Sequence, residues 1–149
     1  MKKLWLGILL TYLFSSCGES NEQVTNDSSR EIVEYNAKIG IGKFDKLELK
    51  DELDLKLSRK GKILQEQKCA SCHKLTDEVS IGPGWKDITN KRSPEWLMNL
   101  MTNTEEMLKM DPSLIDQVKK YGVSMPDPQL TEEDARSILE FMRSVDAEK

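Results

Sequence analysis

Apolar residues recur along this chain at helical spacing, and Gly and Pro residues separate the segments in which they do so. The first helix is predicted over Asp54 to Lys68, and Gly61 within it is available for a close helix crossing. The apolar positions of this segment include Leu55, Leu57, Ile63 and Leu64. A second helix is predicted to start at Ser93 as N-cap with Pro94 in the first position, because both residue types favour a helix start. One face of the second helix carries Trp96, Leu97, Leu100 and Met101.

Two further helices are predicted towards the C-terminus. The third follows Asp111-Pro112 and ends at Gly122, and its inward positions are Leu114, Ile115 and Val118. The last starts at Thr131, because a threonine followed by three acidic residues is typical of a capped first turn. Its apolar positions recur at helical spacing: Ala135, Ile138, Leu139, Met142 and Val145. The pattern predicts an all-α fold of about four helices with no convincing strand.

The N-terminus has the pattern of an export signal. Lys2 and Lys3 precede an apolar stretch from Leu4 to Phe14, which is too short to span a bilayer as a retained helix. Ser15-Ser16-Cys17 then resembles a bacterial lipoprotein cleavage site, in which residues 1–16 are removed and Cys17 is acylated. An ordinary secretory signal with an incidental cysteine is the alternative. Both interpretations place the mature chain outside the cytoplasm, and lipidation predicts a position on the periplasmic side of a bacterial membrane.

The segment after the signal is polar and shows no period, so residues 17–38 are predicted to be a flexible tether. Residues 39–149, about 110 in number, are enough for one small domain but marginal for a large apolar core. The net charge is -4, and removal of Lys2 and Lys3 with the signal makes the mature chain -6. This acidic balance gives no indication of nucleic-acid binding.

The strongest chemical signal in the chain is Cys69-Ala70-Ser71-Cys72-His73. Two thiols separated by two residues can each bond to one vinyl group of a haem, and the imidazole on the next residue is then placed to bind the iron. The motif therefore predicts one haem c attached covalently through Cys69 and Cys72, with His73 as an axial ligand.

Two other readings of a Cys-x-x-Cys pair are disfavoured. A four-ligand zinc site needs further cysteines or histidines, but His73 is the only histidine in the chain and no cysteine follows residue 72. A thioredoxin-like redox site would be expected after a strand, whereas the flanking residues have a helical pattern. Covalent haem remains the best interpretation of the motif.

The second axial position is expected to be filled by a methionine. Three of the six methionines after the haem motif, Met98, Met101 and Met142, lie within predicted helices, where a thioether usually fills the core. Met107 and Met110, beside the break before Asp111, remain alternatives. Met125 is the best candidate, because it lies in a non-helical segment whose backbone is restricted by Pro126 and Pro128.

Taken together, these motifs resemble those of monohaem class I c-type cytochromes. The resemblance covers roughly residues 39–145 and includes Gly61, the Cys69–His73 motif, Ile81-Gly82-Pro83-Gly84-Trp85, Met125-Pro126 and Leu130-Thr131-Glu132-Glu133. It implies a small class I cytochrome c fold around one haem, in which the first and last helices cross, and an activity of electron transfer. Gln65 departs from the family, whose members usually have an aromatic residue there.

The resemblance also implies roles for individual residues. His73 and Met125 would be the two iron ligands, and Gly61 would let the first helix approach the last near Phe141. The carbonyl of Pro83 would accept the second imidazole N–H, and the indole N–H of Trp85 would reach a haem propionate.

A finer resemblance is to lipoprotein cytochromes found beside nitrous-oxide reductase in Bacteroidetes-type bacteria. It rests on Ile39-Gly40-Ile41-Gly42 and on the run from Thr102 to Leu108. It implies a possible redox partner in nitrous-oxide reduction. The chain is expected to be a monomeric carrier that takes electrons from a membrane quinol-oxidising complex and passes them to a terminal reductase or oxidase.

Three functional alternatives remain open from the sequence. An electron carrier needs both axial positions of the iron filled, whereas a haem-based ligand sensor or a peroxidase-like enzyme needs an exchangeable sixth ligand. No second histidine is available as a distal residue, and no second haem motif is present, so electron transfer is preferred. A dedicated subunit of a larger reductase complex is the third possibility.

Charge is uneven along the chain. Residues 59–92 contain eight basic and four acidic residues, and residues 105–149 contain six basic and eleven acidic residues. This asymmetry would orient encounters with partners, or it reflects ordinary solvated helix faces.

Overall fold

A computed structural model of the chain describes residues 35–148. Within this range the chain forms six helices and no strand, which confirms the predicted all-α fold. The helices are α1 (Leu55–Lys68), α2 (Ile88–Lys91), α3 (Pro94–Thr102), α4 (Thr104–Met110), α5 (Pro112–Tyr121) and α6 (Glu132–Ala147). The predicted signal peptide, Cys17 and most of the predicted tether lie outside the described residues. No helix in residues 35–148 is long and apolar enough to cross a membrane.

The four predicted helices are present, and side-chain caps fix where they begin. The carboxylate of Asp54 accepts from the first-turn amides of α1, and the hydroxyl groups of Ser93 and Thr131 do the same for α3 and α6. Gly122 ends α5 with a φ of 70°, a left-handed conformation that favours glycine. The two short helices α2 and α4 were not predicted, because four and seven residues are too few for a helical period to be recognised.

Helix α1 crosses α6 at very close range. A Cβ atom on Gly61 would collide with the backbone carbonyl of Ser137, so only glycine permits this approach. The crossing is therefore centred about one turn before Phe141, the position implied by the family resemblance. The buried residues of α1 are Ser58, Gly61 and Gln65. Two of its predicted apolar positions are instead exposed, Leu55 at 61% and Ile63 at 55%.

The N-terminal residues of the described region pack against the helices, although part of this segment was predicted to be tether. The hydroxyl group of Tyr35 donates a hydrogen bond to Asp111, and the carbonyl of Lys38 accepts one from Ser93 at 2.6 Å. The buried Asn99 amide nitrogen then donates to Ile39 and Phe44 carbonyls at 2.9 and 2.8 Å. The packed domain thus includes residues 35–38, which lie before the predicted boundary at residue 39.

The apolar core lies between α3, α4, α5 and α6. The residues most fully removed from solvent are Met98, Met107, Ala135, Ile138 and Leu139. Most of the predicted inward positions of α3, α5 and α6 are buried as expected, while four are half-buried: Leu100, Ile115, Val118 and Val145. One side of this core, which includes Trp96, Leu97 and Leu114, is open to a large cavity.

Candidate functional site

A cavity of about 540 Å³ lies against α3, α5 and two loops. Its lining is largely apolar and includes Trp96, Leu97, Leu100, Leu114 and Met142. This size and character are typical of sites that enclose a cofactor.

The turn after α1 brings the haem motif to this cavity. Helix α1 ends at Lys68, and the amides of Cys72 and His73 both donate to the carbonyl of Cys69, at 3.0 and 2.9 Å. This tight turn places Cys72 and His73 in the cavity lining. Cys69 is buried in the adjacent core with 8% of its surface exposed, and burial raises the pKa of its thiol to about 11.

The imidazole of His73 is held by the loop that follows it. Its Nδ1–H donates to the carbonyl of Pro83 at 2.8 Å, which is the contact that the family resemblance implies for Pro83. This bond fixes the tautomer and leaves Nε2 with a lone pair that can bind a metal. A Cβ atom at Gly82 would lie 2.6 Å from the imidazole Cε1, so a glycine is required beside the ring. The ring of Trp85 lines the same cavity, 5.5 Å from that of His73 between centroids.

The methionines can be sorted by whether they reach the cavity. Met125 lines it from the loop between α5 and α6, and Met101 and Met142 line it from within helices. Met107 is fully buried elsewhere, and its sulfur accepts a hydrogen bond from the amide of Ile41 at 3.0 Å. Met110 is 47% exposed and does not line the cavity. The two alternatives that the sequence left open, Met107 and Met110, are therefore not placed to bind a group in this cavity.

A cationic and polar part of the lining was not identified from the sequence. It consists of Lys91, Arg92, Gln117 and Tyr121. The Arg92 guanidinium stacks on the Trp96 ring at 4.2 Å and donates to the hydroxyl group of Ser113 at 2.6 Å. Two adjacent cations directly before the Ser93 N-cap were the signal available in the sequence, but only the fold shows that they reach the cavity.

The buried carboxylate of Asp111 supports this wall from behind. It accepts hydrogen bonds from Trp96 Nε1 at 2.7 Å, from the Ser113 hydroxyl at 2.5 Å and from the hydroxyl of Tyr35. Burial alone would raise the pKa of Asp111, but these bonds together outweigh it, and the pKa lies below its usual value. Burial and the adjacent Asp111 carboxylate raise the pKa of Tyr35 to about 12.

Three features of the cavity fit a haem. The apolar lining suits the faces of a porphyrin, and the cations Lys91 and Arg92 suit its two carboxylates. The orientation of His73 by Pro83, with no side chain at Gly82, leaves Nε2 available to iron.

Comparisons with known proteins agree with this geometry. Residues 58–146 match the cytochrome c family. A solved structure of cytochrome c from Rhodothermus marinus is 38% identical, with a TM-score of 0.69 and coverage of 76% of this chain and 95% of that chain. An engineered cytochrome c from Rhodothermus marinus is also 38% identical, with a TM-score of 0.67 and coverage of 74% and 94%. A further structure of an engineered form, bound to a carbene intermediate, is 37% identical with a TM-score of 0.64. The search of curated proteins found no match.

The family match spans more than half of the chain, and the two cysteines of the motif stand where a c-type haem is attached. The chain therefore belongs to the cytochrome c family, carries haem c attached covalently through Cys69 and Cys72, and serves in haem-based electron transfer.

Proposed function

We propose that this protein is an exported, lipid-anchored and monomeric electron carrier whose iron is held by His73 and Met125. The observation that supports this most directly is that His73 and Met125 line the same cavity as Cys72. Met125 is also the only methionine in that lining that lies outside the helices, so its position can be set by a loop rather than by helix packing.

The residues of the cavity have distinct roles in this proposal. Cys69 and Cys72 hold the macrocycle by covalent bonds, and His73 binds the iron through Nε2 while its Nδ1–H stays on Pro83. Lys91, Arg92 and the indole N–H of Trp85 line the same cavity and would bind the carboxylates of the porphyrin. When bound, haem supplies an iron that gains and loses one electron.

The protein environment makes this chemistry suitable for a carrier. Bound by the imidazole of His73 and the thioether of Met125, the iron would have no site left for a substrate, and the soft sulfur would stabilise its reduced state. The apolar lining would exclude water from the porphyrin faces that it covers, so that less solvent would rearrange when the charge of the iron changes. Contacts with redox partners of this kind are small and short-lived.

The cellular setting of the proposal rests on the sequence alone. Acylation of Cys17 would hold the chain on the periplasmic side of a bacterial membrane, with the segment after it as tether. The donor would be a membrane quinol-oxidising complex, and the acceptor a terminal reductase or oxidase, as in nitrous-oxide respiration. Mass spectrometry of the protein isolated from cells tests the anchor, since the wild type is expected to begin at an acylated Cys17 and Cys17→Ser is expected to carry no acyl group.

The axial ligands are tested by absorption spectroscopy of the oxidised holoprotein. The wild type is expected to show the weak band near the red edge of the visible range that thioether-to-iron coordination produces. The variant Met125→Leu should lose this band. The matched variants Met101→Leu and Met142→Leu should keep it, because both residues line the cavity but lie within helices.

Two results would contradict the proposal. Persistence of the band in Met125→Leu, with its loss in one of the other two variants, would transfer the ligand role to that methionine. Avid binding of carbon monoxide by the reduced wild type would instead favour a haem-based ligand sensor or a peroxidase-like enzyme.

A further inference from the structure

The loop that carries Met125 is a thin wall between two cavities. A second, more open cavity of about 600 Å³ shares part of its lining with the first, including Ser124, Met125 and Pro126. The loop therefore has space on both sides, and an outward movement of Met125 would meet little packed protein.

Few hydrogen bonds hold this loop. Within the described part of the chain, no backbone amide or carbonyl of residues 123–130 forms a hydrogen bond with another backbone group. Pro126 and Pro128 have no amide hydrogen to donate, and the Gln129 amide bonds within the loop to Asp127 at 2.8 Å. Leu130 packs partly against the core. Lys68 Nζ, at the end of α1, donates a hydrogen bond to the Pro128 carbonyl at 3.0 Å and so joins the loop to that helix.

Lys68 is well placed to anchor the loop. It is the last residue of α1 and directly precedes Cys69, which bonds to the haem. Helix α1 is itself fixed by its close crossing with α6 at Gly61. The hydrogen bond from Lys68 to the loop therefore joins the Met125 side of the cavity to α1, the helix that is held by the close crossing with α6.

We propose that Lys68 is a positioning residue for Met125, because its ammonium group holds the 123–130 loop closed against the cavity. This inference rests on the proposed role of Met125 as an iron ligand. Without the bond to Pro128, the loop opens more often, and an outside ligand can replace the thioether more easily. Lys68 thereby sets how exchangeable the sixth ligand is, without touching the iron.

The size of the effect follows from the fraction of molecules with an open loop. An outside ligand binds only to the open form, so its apparent dissociation constant is inversely proportional to that fraction. Loss of one exposed, charge-assisted hydrogen bond should raise the open fraction roughly twofold to tenfold.

The test is a titration of the oxidised holoprotein with imidazole, followed by loss of the thioether-to-iron band. Lys68→Met keeps the aliphatic stem and removes the charged donor, and it should lower the apparent dissociation constant roughly twofold to tenfold. Lys68→Arg can still donate to the Pro128 carbonyl and should remain close to the wild type. The matched control is Lys74→Met, which removes the same charge beside His73, from a side chain that donates to no residue within the described range.

The outcomes separate this inference from the proposed function. Equal imidazole affinities for wild type, Lys68→Met and Lys74→Met would overturn it, and so would an equal gain in both variants, which would indicate a general effect of charge. If Met125→Leu loses the band while Lys68→Met binds imidazole like the wild type, only the role of Lys68 fails. If Met125→Leu keeps the band, the proposed ligand role of Met125 is wrong, and the role of Lys68 that rests on it is wrong as well.

Discussion

The two sides of the haem cavity are held in different ways. On the His73 side, several backbone hydrogen bonds lie close together. The amides of Cys72 and His73 donate to the Cys69 carbonyl. The Gly82 amide donates to the Cys72 carbonyl at 3.0 Å, and the Trp85 amide donates to the Lys74 carbonyl at 2.8 Å. On the Met125 side, the loop has no comparable backbone bonds and is joined to α1 through the ammonium group of Lys68. One side is fixed by the main chain and the other by a side chain.

This difference matches the tasks of the two ligands in the proposed carrier. The histidine side also carries the covalent attachment, so any movement there would move the cofactor. The methionine side can open locally at low cost, because few contacts break when it does. We therefore expect added side-chain atoms on the His73 side to lower the free energy of unfolding. Changes on the Met125 side are expected to alter how often the loop opens.

The largest expected effect is at the crossing that fixes α1. In Gly61→Ala the new methyl group meets the backbone of α6 at Ser137, which cannot turn away as a flexible side chain would. The two helices must separate, and we expect a loss of about 3 kcal/mol in the free energy of unfolding. Urea denaturation of the holoprotein measures this loss.

The matched control for this substitution is Gly122→Ala, at the start of the Met125 loop. No atom lies within 4 Å of the added Cβ there, so the cost comes only from the φ of 70°. A left-handed alanine costs about 1 kcal/mol. Equal losses for the two variants would show that the α1–α6 crossing is not closer packed than the loop, and would remove the basis of the comparison.

The helix boundaries were predictable because they depend on local chemistry. Asp54, Ser93, Thr131 and Gly122 cap helices through their own side chains or backbone angles, and these signals are contiguous in the sequence. The buried face of α1 was not predictable from its leucines and isoleucine. The close crossing at Gly61 selects the side of the helix that presents Ser58 and Gln65, and it leaves Ile63 in solvent.

The site divides in the same way. That the Cys69–His73 motif, Pro83 and Met125 belong to one site could be predicted, because each is part of a short, recognisable run of residues, and the lining of the cavity includes Cys72, His73, Pro83 and Met125. Lys91 and Arg92 could not, because they line the cavity only after α3 has packed and Trp96 has bonded to Asp111. Tyr35 was assigned to the tether, because nothing in its neighbours indicates that it pairs with a residue 76 positions later. Contacts of this separation exist only in the folded chain.

The next largest effect is expected at Gly82. In Gly82→Ala the added Cβ would lie 2.6 Å from Cε1 of His73, and the imidazole must turn or shift to make room. We expect a loss of about 2 kcal/mol in the free energy of unfolding and a weakened bond from Nδ1–H to Pro83. Denaturation measures the free energy of unfolding, and the hydrogen-exchange rate of the imidazole N–H measures the strength of the bond to Pro83.

The control for Gly82→Ala is Ser80→Ala, in the same exposed loop, which should change stability by less than about 0.5 kcal/mol. An unchanged exchange rate in Gly82→Ala would mean that the His73 side tolerates movement after all.

The smallest effect is expected at Tyr35, behind the cationic part of the cavity wall. Tyr35→Phe keeps the ring and removes the hydroxyl that donates to Asp111, while Trp96 and Ser113 continue to donate to that carboxylate. Loss of one such bond should lower the free energy of unfolding by about 1 kcal/mol near neutral pH. The matched control is Tyr121→Phe, on the cavity lining.

The pH dependence of the stability difference between wild type and Tyr35→Phe shows whether the hydrogen bond from Tyr35 to Asp111 causes it. The pKa of Asp111 lies below its unfolded value of 3.8, so its stabilising contribution is present above about pH 4 and is lost as the pH falls through the folded pKa. The pKa of Tyr35 is raised from 10.0 to about 12, so its contribution is present below pH 10 and is lost as the pH rises towards 12. The stability difference between wild type and Tyr35→Phe should therefore be greatest between about pH 4 and pH 10 and shrink on both sides. Denaturation midpoints across this range provide the measurement. A difference that stays constant into acid and alkali would show that the hydroxyl group stabilises the fold without its bond to Asp111, since a hydrogen bond between two titrating groups must weaken when either changes its protonation state.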